Sequence, residues 1–362
     1  PRARGVKPEI DLRGFLVLPG IIDLHGDAFE RQIQPRPRVR FPLEQGLLAA
    51  DREAAANGVT TAWLAQCWSW EGEHRSPDFA RDVLEALSAY KPDMQTDLRV
   101  QLRVETHTTQ SCEALIALVR EFAVDYAIFN DHLGEAFQQF ETDPEGHAAY
   151  ARSLGCTPET YAARLIAAKR GAAAVPRYLC TLAAAFDAMG VRYGSHDDPD
   201  AETRETYAMI GARICEFPLS RNVARLARAK GDPVLMGAPN VVRGGSQNGN
   251  VSAIDLIEAG ECDALVSDYH YPALAAAAFH LADLGVLSLP QAWALISTRP
   301  AQIMGLADRG LIAEGRRADL AIVNEETRAI EATFVAGRLT HLTGEAAQRL
   351  LATKARLAIA AE

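Results

Sequence analysis

Leu16-Val-Leu-Pro-Gly-Ile-Ile-Asp-Leu-His-Gly-Asp27 is the stretch on which the reading of this chain turns. An apolar run of strand composition ends in His25-Gly-Asp27, two metal-ligand types one residue apart. Side chains at i and i+2 of a strand share a face. An imidazole and a carboxylate placed this way converge on one cation at the carboxyl end of the strand. Such a pair is common by itself, because a His or Asp after a strand also caps helices and pairs backbone groups. The rest of the chain must supply the other ligands.

Short apolar segments alternate with longer amphipathic ones through most of the sequence. Strands are predicted at 21–25, 59–65, 98–105, 126–130, 191–195, 212–217, 234–237 and 264–267. Ala-, Leu-, Glu- and Arg-rich stretches at 43–56, 77–89, 112–121 and 220–230 read as helices. Eight strand–helix units predict an α/β fold, a (β/α)8 TIM-like barrel rather than a doubly wound sheet. No glycine fingerprint follows the first strand, which disfavours dinucleotide binding. The ends break the rhythm, with short strand-like pieces and turn residues at 10–17 and 310–339. The expected organisation is a metal-dependent barrel over 20–304. Residues 1–19 and 305–362 would form a small β-sandwich from both termini, plus a C-terminal helix. Residues 133–157 read as a polar, irregular segment long enough to be a lid over the barrel mouth.

Composition narrows the class. With 362 residues and 48% apolar content, the chain can build a substantial core. A formal net charge of −10 argues against nucleic-acid or membrane-surface partners. No apolar run reaches spanning length and no signal segment begins the chain. The start at Pro1, without Met, implies that N-terminal residues are missing. Cys67, Cys112, Cys156, Cys180, Cys215 and Cys262 are scattered with no C-x-x-C pair. They read as reduced core thiols of a cytoplasmic protein, which excludes a disulfide framework or a zinc–thiolate site.

In a barrel, chemistry sits where strands end in loops at the carboxyl face. The first strand ends in His25 and Asp27, the third in Glu105, and the fourth runs into Asn130-Asp131-His132. The fifth ends Ser195-His196-Asp197-Asp198 and the eighth Ser267-Asp268. Asp197 and Asp198 precede a helix start and read equally as its caps. His25, Asp27, Glu105, His132, His196 and Asp268 together form a candidate metal set, a mixed N/O group suited to one or two divalent ions such as Zn, Mn or Fe. Such a centre lowers the pKa of bound water. Asp268 would bind the metal and also accept the nucleophile's proton.

These motifs carry a resemblance. The Leu-Pro-Gly-Ile-Ile-Asp-x-His-x-Asp start, the later single Asp268 and the C-terminal Gly310-Leu-Ile-Ala-Glu-Gly-Arg-Arg-Ala-Asp319-Leu resemble the amidohydrolase superfamily over nearly the whole chain. A narrower likeness, carried by Pro35-Arg-Pro-x-Val-Arg40, Ser195-His-Asp-Asp198, Leu235-Met-Gly-Ala-Pro-Asn240 and Val242-Arg-Gly-Gly-Ser246, points to the phosphonate-metabolism diphosphatases of the carbon–phosphorus lyase pathway. That family hydrolyses α-D-ribose 1-methylphosphonate 5-triphosphate to the 5-phosphate and pyrophosphate. Its metal ligands would fall on the same six residues. Superfamily members often bridge two metals with a carboxylated lysine, but Lys7, Lys91, Lys169, Lys230 and Lys354 all lie away from strand ends. Glu105 is then the natural bridge. The chain departs from the narrower family at Asp131-His-Leu-Gly-Glu-Ala136 and at Tyr269-His270-Tyr271-Pro272, both near the expected substrate.

A phosphorylated small molecule suits the remaining motifs. Arg36, Arg38 and Arg40 cluster just past the metal strand, and guanidinium groups bind phosphate bidentately. Arg243, Gly244, Gly245 and Ser246 join a cation to a loop whose N–H groups could line an anion nest. His270 is a further substrate-contact candidate, and His107 could either touch substrate or cap a helix. Trp63, Trp68 and Trp70 read as packing. The expected function is a binuclear-type, metal-dependent hydrolase of a ribose-phosphonate triphosphate; the alternative is an amidohydrolase acting on a cyclic amide C–N bond or on a related small phosphorylated compound. A homo-oligomer is compatible with the sequence.

Overall fold

The computed structural model describes residues 10–246 and 249–359. Eight parallel strands form the barrel in sequential order. After β1 (Phe15–Pro19) they are β2 (Ile21–Gly26), β3 (Val59–Trp68), β4 (Asp97–Glu105), β5 (Tyr126–Asn130), β6 (Arg192–His196), β7 (Ile214–Glu216), β8 (Val234–Gly237) and β9 (Ala264–Val266). All eight expected strands are present. Their side chains are buried almost throughout, because the barrel interior covers one face and the surrounding helices the other. Helix Leu43–Ala56 and helix Pro77–Tyr90 follow β2 and β3, and the second is capped by Ser76 with Pro77 in its first turn. No helix among the described residues is long and apolar enough to cross a membrane.

The barrel closes between β2 and β9, and the closure is where the candidate ligands sit. Gly26 bridges Asp268, the Asp27 N–H donates to the Asp268 carbonyl at 2.8 Å, and the Asp268 N–H donates to the His25 carbonyl at 2.9 Å. Below this seam the buried Asp23 carboxylate accepts the Ser267 N–H at 2.9 Å and the Ser267 hydroxyl at 2.6 Å. Gly26 is required here: a Cβ would lie 2.8 Å from the Asp23 carboxylate and 2.9 Å from Ser267 Oγ.

Both ends of the chain contribute to a second sheet. It runs β1, β10 (Leu320–Asn324), β11 (Ile330–Val335) and β12 (Arg338–Leu342), all antiparallel. Where the sequence suggested a sandwich, the described residues form this single sheet with helices as its neighbours. The Thr333 hydroxyl donates to the Ala55 carbonyl at 2.7 Å, and Glu331 accepts the Ala346 N–H at 2.7 Å. Residues 133–157, expected to be irregular, instead form helices Leu133–Thr142 and Pro144–Leu154. Asp143 caps the second, and Gly155 ends it in the left-handed conformation.

Arg309, on the connection from the barrel to β10, ties that connection to the foot of the barrel. It donates to Asp97 at 2.6 Å and to the Thr61 hydroxyl at 2.9 Å. Burial alone would raise the Asp97 carboxyl, but hydrogen bonds and charge from Arg99 and Arg309 hold it below its ordinary value. A carboxylate lowered in the folded state stabilises above its unfolded pKa of about 4 and loses that contribution as pH falls through the folded value. Asp97→Asn should therefore cost about 1–3 kcal/mol in urea unfolding at neutral pH. The variant should also show a flatter loss of stability below about pH 4 than the parent chain.

Candidate metal-binding active site

The carboxyl ends of the barrel strands converge on one cleft. His25, Asp27, Asp268, His196, Asp197 and Arg103 line its floor; Asn240, Arg243, Gly245, Ser246, Asn250 and Tyr269 line its wall. Donor atoms of His25, Asp27 and Asp268 all lie within 4.8 Å of one another, close enough to share an ion. Burial raises the Asp27 carboxyl, and the negative charge of Glu30 adds to it. Asp268 is raised by burial and then by Asp27. Two half-buried carboxylates that disfavour each other's charge make a site that a divalent cation would stabilise, and one imidazole with two carboxylates fits Zn, Mn or Fe. The donor set fits a metal.

A residue absent from the sequence-based set organises this floor. Glu216, at the end of β7, is fully buried. Its Oε2 accepts from His25 Nδ1 at 2.9 Å and from His196 Nδ1 at 3.1 Å. Its Oε1 accepts from Gln101 Nε2 at 2.6 Å and from the Tyr126 hydroxyl at 2.5 Å. Although His25, His196 and Glu216 are near enough to hold an ion, both carboxylate oxygens are already saturated. Glu216 is therefore an orienting group, leaving Nε2 of each imidazole as its lone-pair nitrogen. Burial opposes its charge, but the two histidines hold its carboxyl far below the usual range.

The other two expected ligands stand apart. His132 Nδ1 meets Glu105 Oε1 at 2.6 Å, and the His132 N–H donates to Glu105 Oε2 at 3.2 Å. His132 Nε2 faces Asp197 at 3.7 Å. Burial pulls the His132 imidazole down, but its hydrogen bonds to Asp197 and Glu105 carry it up to about 10. Glu105, expected to bridge two metals, pairs with His132 through both carboxylate oxygens. Arg103, also unforeseen, lies between the two groups, with Nη1 3.6 Å from Asp27 and Nη2 3.4 Å from His196 Nε2.

Several other expectations are corrected. Asp200, not Asp197 or Asp198, caps helix Ala201–Met209. Asp197 adopts φ 56° and turns into the cleft, while Asp198 accepts the Ser195 hydroxyl at 2.6 Å beside the fully buried Arg204. Arg36, Arg38 and Arg40 are exposed and none lines the cleft; Arg40 is spent on Gln34 at 3.0 Å and on the face of Phe79 at 5.0 Å. The loop they occupy folds back on itself through an Arg36–Val39 bridge. Arg243, Gly245 and Ser246 do line the cleft, whereas Gly244 serves as the left-handed end of helix Ala238–Arg243. His270 is exposed in the turn before helix Ala273–Asp283, and its neighbour Tyr269 faces the cleft instead. His107 lies 3.5 Å from Asp131, away from the floor.

This fold and donor set define a class. A family model described as "Amidohydrolase family" matches residues 255–343, and the chain belongs to that family. It is a hydrolase of the amidohydrolase superfamily. A curated relative, the alpha-D-ribose 1-methylphosphonate 5-triphosphate diphosphatase of Escherichia coli K12, is 32% identical over 335 residues, covering 90% of this chain and 88% of its own. Among solved structures, a beta-aspartyl dipeptidase from Fervidobacterium islandicum superposes with a TM-score of 0.58 at 17% identity, over 94% of this chain and 89% of that one. The N-acetylglucosamine-6-phosphate deacetylase of Thermotoga maritima gives 0.55 at 13%, over 90% and 89%. These two likenesses concern the fold alone.

Replacing Glu216 by Gln removes the charge that sets both imidazoles. Manganese affinity, followed by calorimetric titration, should fall about 10–100-fold while the circular dichroism spectrum is kept.

Proposed function

We propose that this chain is a metal-dependent diphosphatase that hydrolyses α-D-ribose 1-methylphosphonate 5-triphosphate to the 5-phosphate and pyrophosphate. The carrying observation is a single cleft that joins the His25, Asp27 and Asp268 donor group to Arg243, Gly245 and Ser246. Likeness to the Escherichia coli diphosphatase supports the same substrate. A phosphorylated ligand needs a cation at the reacting phosphorus and donors along its chain, and this cleft offers both.

In this reading His25, Asp27 and Asp268 hold the ion, with His196 beside it and Glu105 and His132 on the far flank. A bound Zn, Mn or Fe ion would supply a water of lowered pKa and polarise the phosphoryl oxygen. The residues do the rest. Asp268, whose carboxyl is raised by burial and by Asp27, accepts a proton from the attacking water. Water's oxygen bonds to phosphorus, the anhydride P–O bond between the α and β phosphates breaks, and pyrophosphate departs with the electron pair. Arg243, 3.4 Å from the Tyr269 hydroxyl, lies on the cleft wall where it would hold the polyphosphate. Scattered, unbonded cysteines suit a cytoplasmic setting.

Metal-loaded protein should release pyrophosphate from the ribose-phosphonate triphosphate. Asp268→Asn should lower kcat about 10²–10⁴-fold. Arg243→Ala should act mainly by raising KM, about tenfold or more. Turnover of hydantoins or dihydropyrimidines without pyrophosphate release from the triphosphate would instead assign the cleft to cyclic-amide hydrolysis.

A further inference from the structure

We infer that this active site holds one divalent cation and that Arg103 supplies the second positive charge that a two-ion site would provide. The inference rests on the hydrolase reading above. Two ions in such a barrel would stand about 3.5–4 Å apart and share a bridging group. The residues that could serve as bridge are already engaged. Among the described residues no lysine lies at a strand end, and both oxygens of Glu105 are used by His132, one on the ring and one on its backbone N–H. Glu216 is saturated by four donors.

The position beside the first donor group is filled by the guanidinium. Arg103 projects from β4 with its side chain only 12% exposed. It sits 3.6 Å from Asp27 on one side and 3.4 Å from His196 Nε2 on the other. The His196 lone pair is thus directed at Arg103, and Asp27 faces both the His25–Asp268 group and Arg103. A guanidinium keeps its proton in proteins, so it cannot step aside by titration as a lysine could. A second ion between Asp27, His196 and Asp197 would meet a fixed positive charge at contact distance.

Arg103 also lines a second cavity with Glu71, Arg75, His132, Glu135 and Tyr150, which Arg243 does not line. Among the described residues its buried Nε has no hydrogen-bond partner. The group therefore has donors in reserve at the wall between the two cavities. An oxygen on the phosphorus under attack would receive them, and a planar fork binds two such oxygens together. Stabilising the charge that develops on those oxygens is what the second ion does in two-ion hydrolases.

Metal counting separates this inference from the function it rests on. Metal-free protein is titrated with Mn²⁺, bound metal is measured by mass spectrometry, and the spectrum is recorded by electron paramagnetic resonance. One ion per chain with an uncoupled spectrum is expected. Two ions with an exchange-coupled spectrum, in protein that still releases pyrophosphate, overturn the inference and leave the diphosphatase intact. No bound metal overturns both. Arg103→Met should admit a second ion and lower kcat about 10²–10³-fold, whereas Arg103→Lys, which keeps the charge, should stay at one. A methionine variant that remains at one ion removes Arg103 from the role assigned to it.

Discussion

A single buried carboxylate, Glu216, sets the geometry of the cleft floor. A charge removed from water survives only if its hydrogen-bonding capacity is filled. Glu216 meets that condition with His25, His196, Gln101 and Tyr126, drawn from four other strands or strand ends. The interaction works in both directions. The donors keep the carboxylate ionised, and the carboxylate decides which nitrogen of each imidazole carries the proton. His25 then offers Nε2 to the Asp27–Asp268 pair, and His196 offers Nε2 to Arg103.

The backbone around this carboxylate is held in a matching arrangement. Asp197, Phe217 and Asp268 adopt φ values of 56°, 49° and 54° immediately after β6, β7 and beyond β9. Non-glycine residues adopt this conformation at a cost, and it turns Asp197 and Asp268 inward where an extended strand would carry them on. The barrel seam offsets part of that cost through the Asp268 backbone bonds to His25 and Asp27. Behind β6, the buried Arg204 joins Ser195, Asp198 and Asp232, which anchors the strand that carries His196. The barrel seam and the donor group therefore share His25, Asp27 and Asp268.

Much of this was legible in the sequence, for identifiable reasons. Buried parallel strands read as apolar runs, so all eight barrel strands were found, and strand-end position picked out His25, Asp27, His196 and Asp268. Glu216 was passed over because Ile214-Cys-Glu216 reads as the tail of a strand, with no histidine to draw attention to it. Arg103 carried a signal that was available: Gln101, Arg103 and Glu105 alternate on the inward face of β4. The position of Arg36, Arg38 and Arg40 outside the cleft lining was not legible, because charge and spacing say nothing about which way a loop folds. The second helix in 133–157 was also marked, by Asp143-Pro144, an N-cap followed by proline. Polar composition obscured it.

The most direct test of this account is the protonation of two rings. In zinc-loaded protein carrying nitrogen-15 histidine, long-range proton–nitrogen correlation near neutral pH reports the tautomer of each imidazole. His25 and His196 should both carry their ring proton on Nδ1, hydrogen-bonded to Glu216, and His25 Nε2 should show the shift of a metal-bound nitrogen. A proton on Nε2 of either ring, or metal bound through Nδ1, would contradict this assignment.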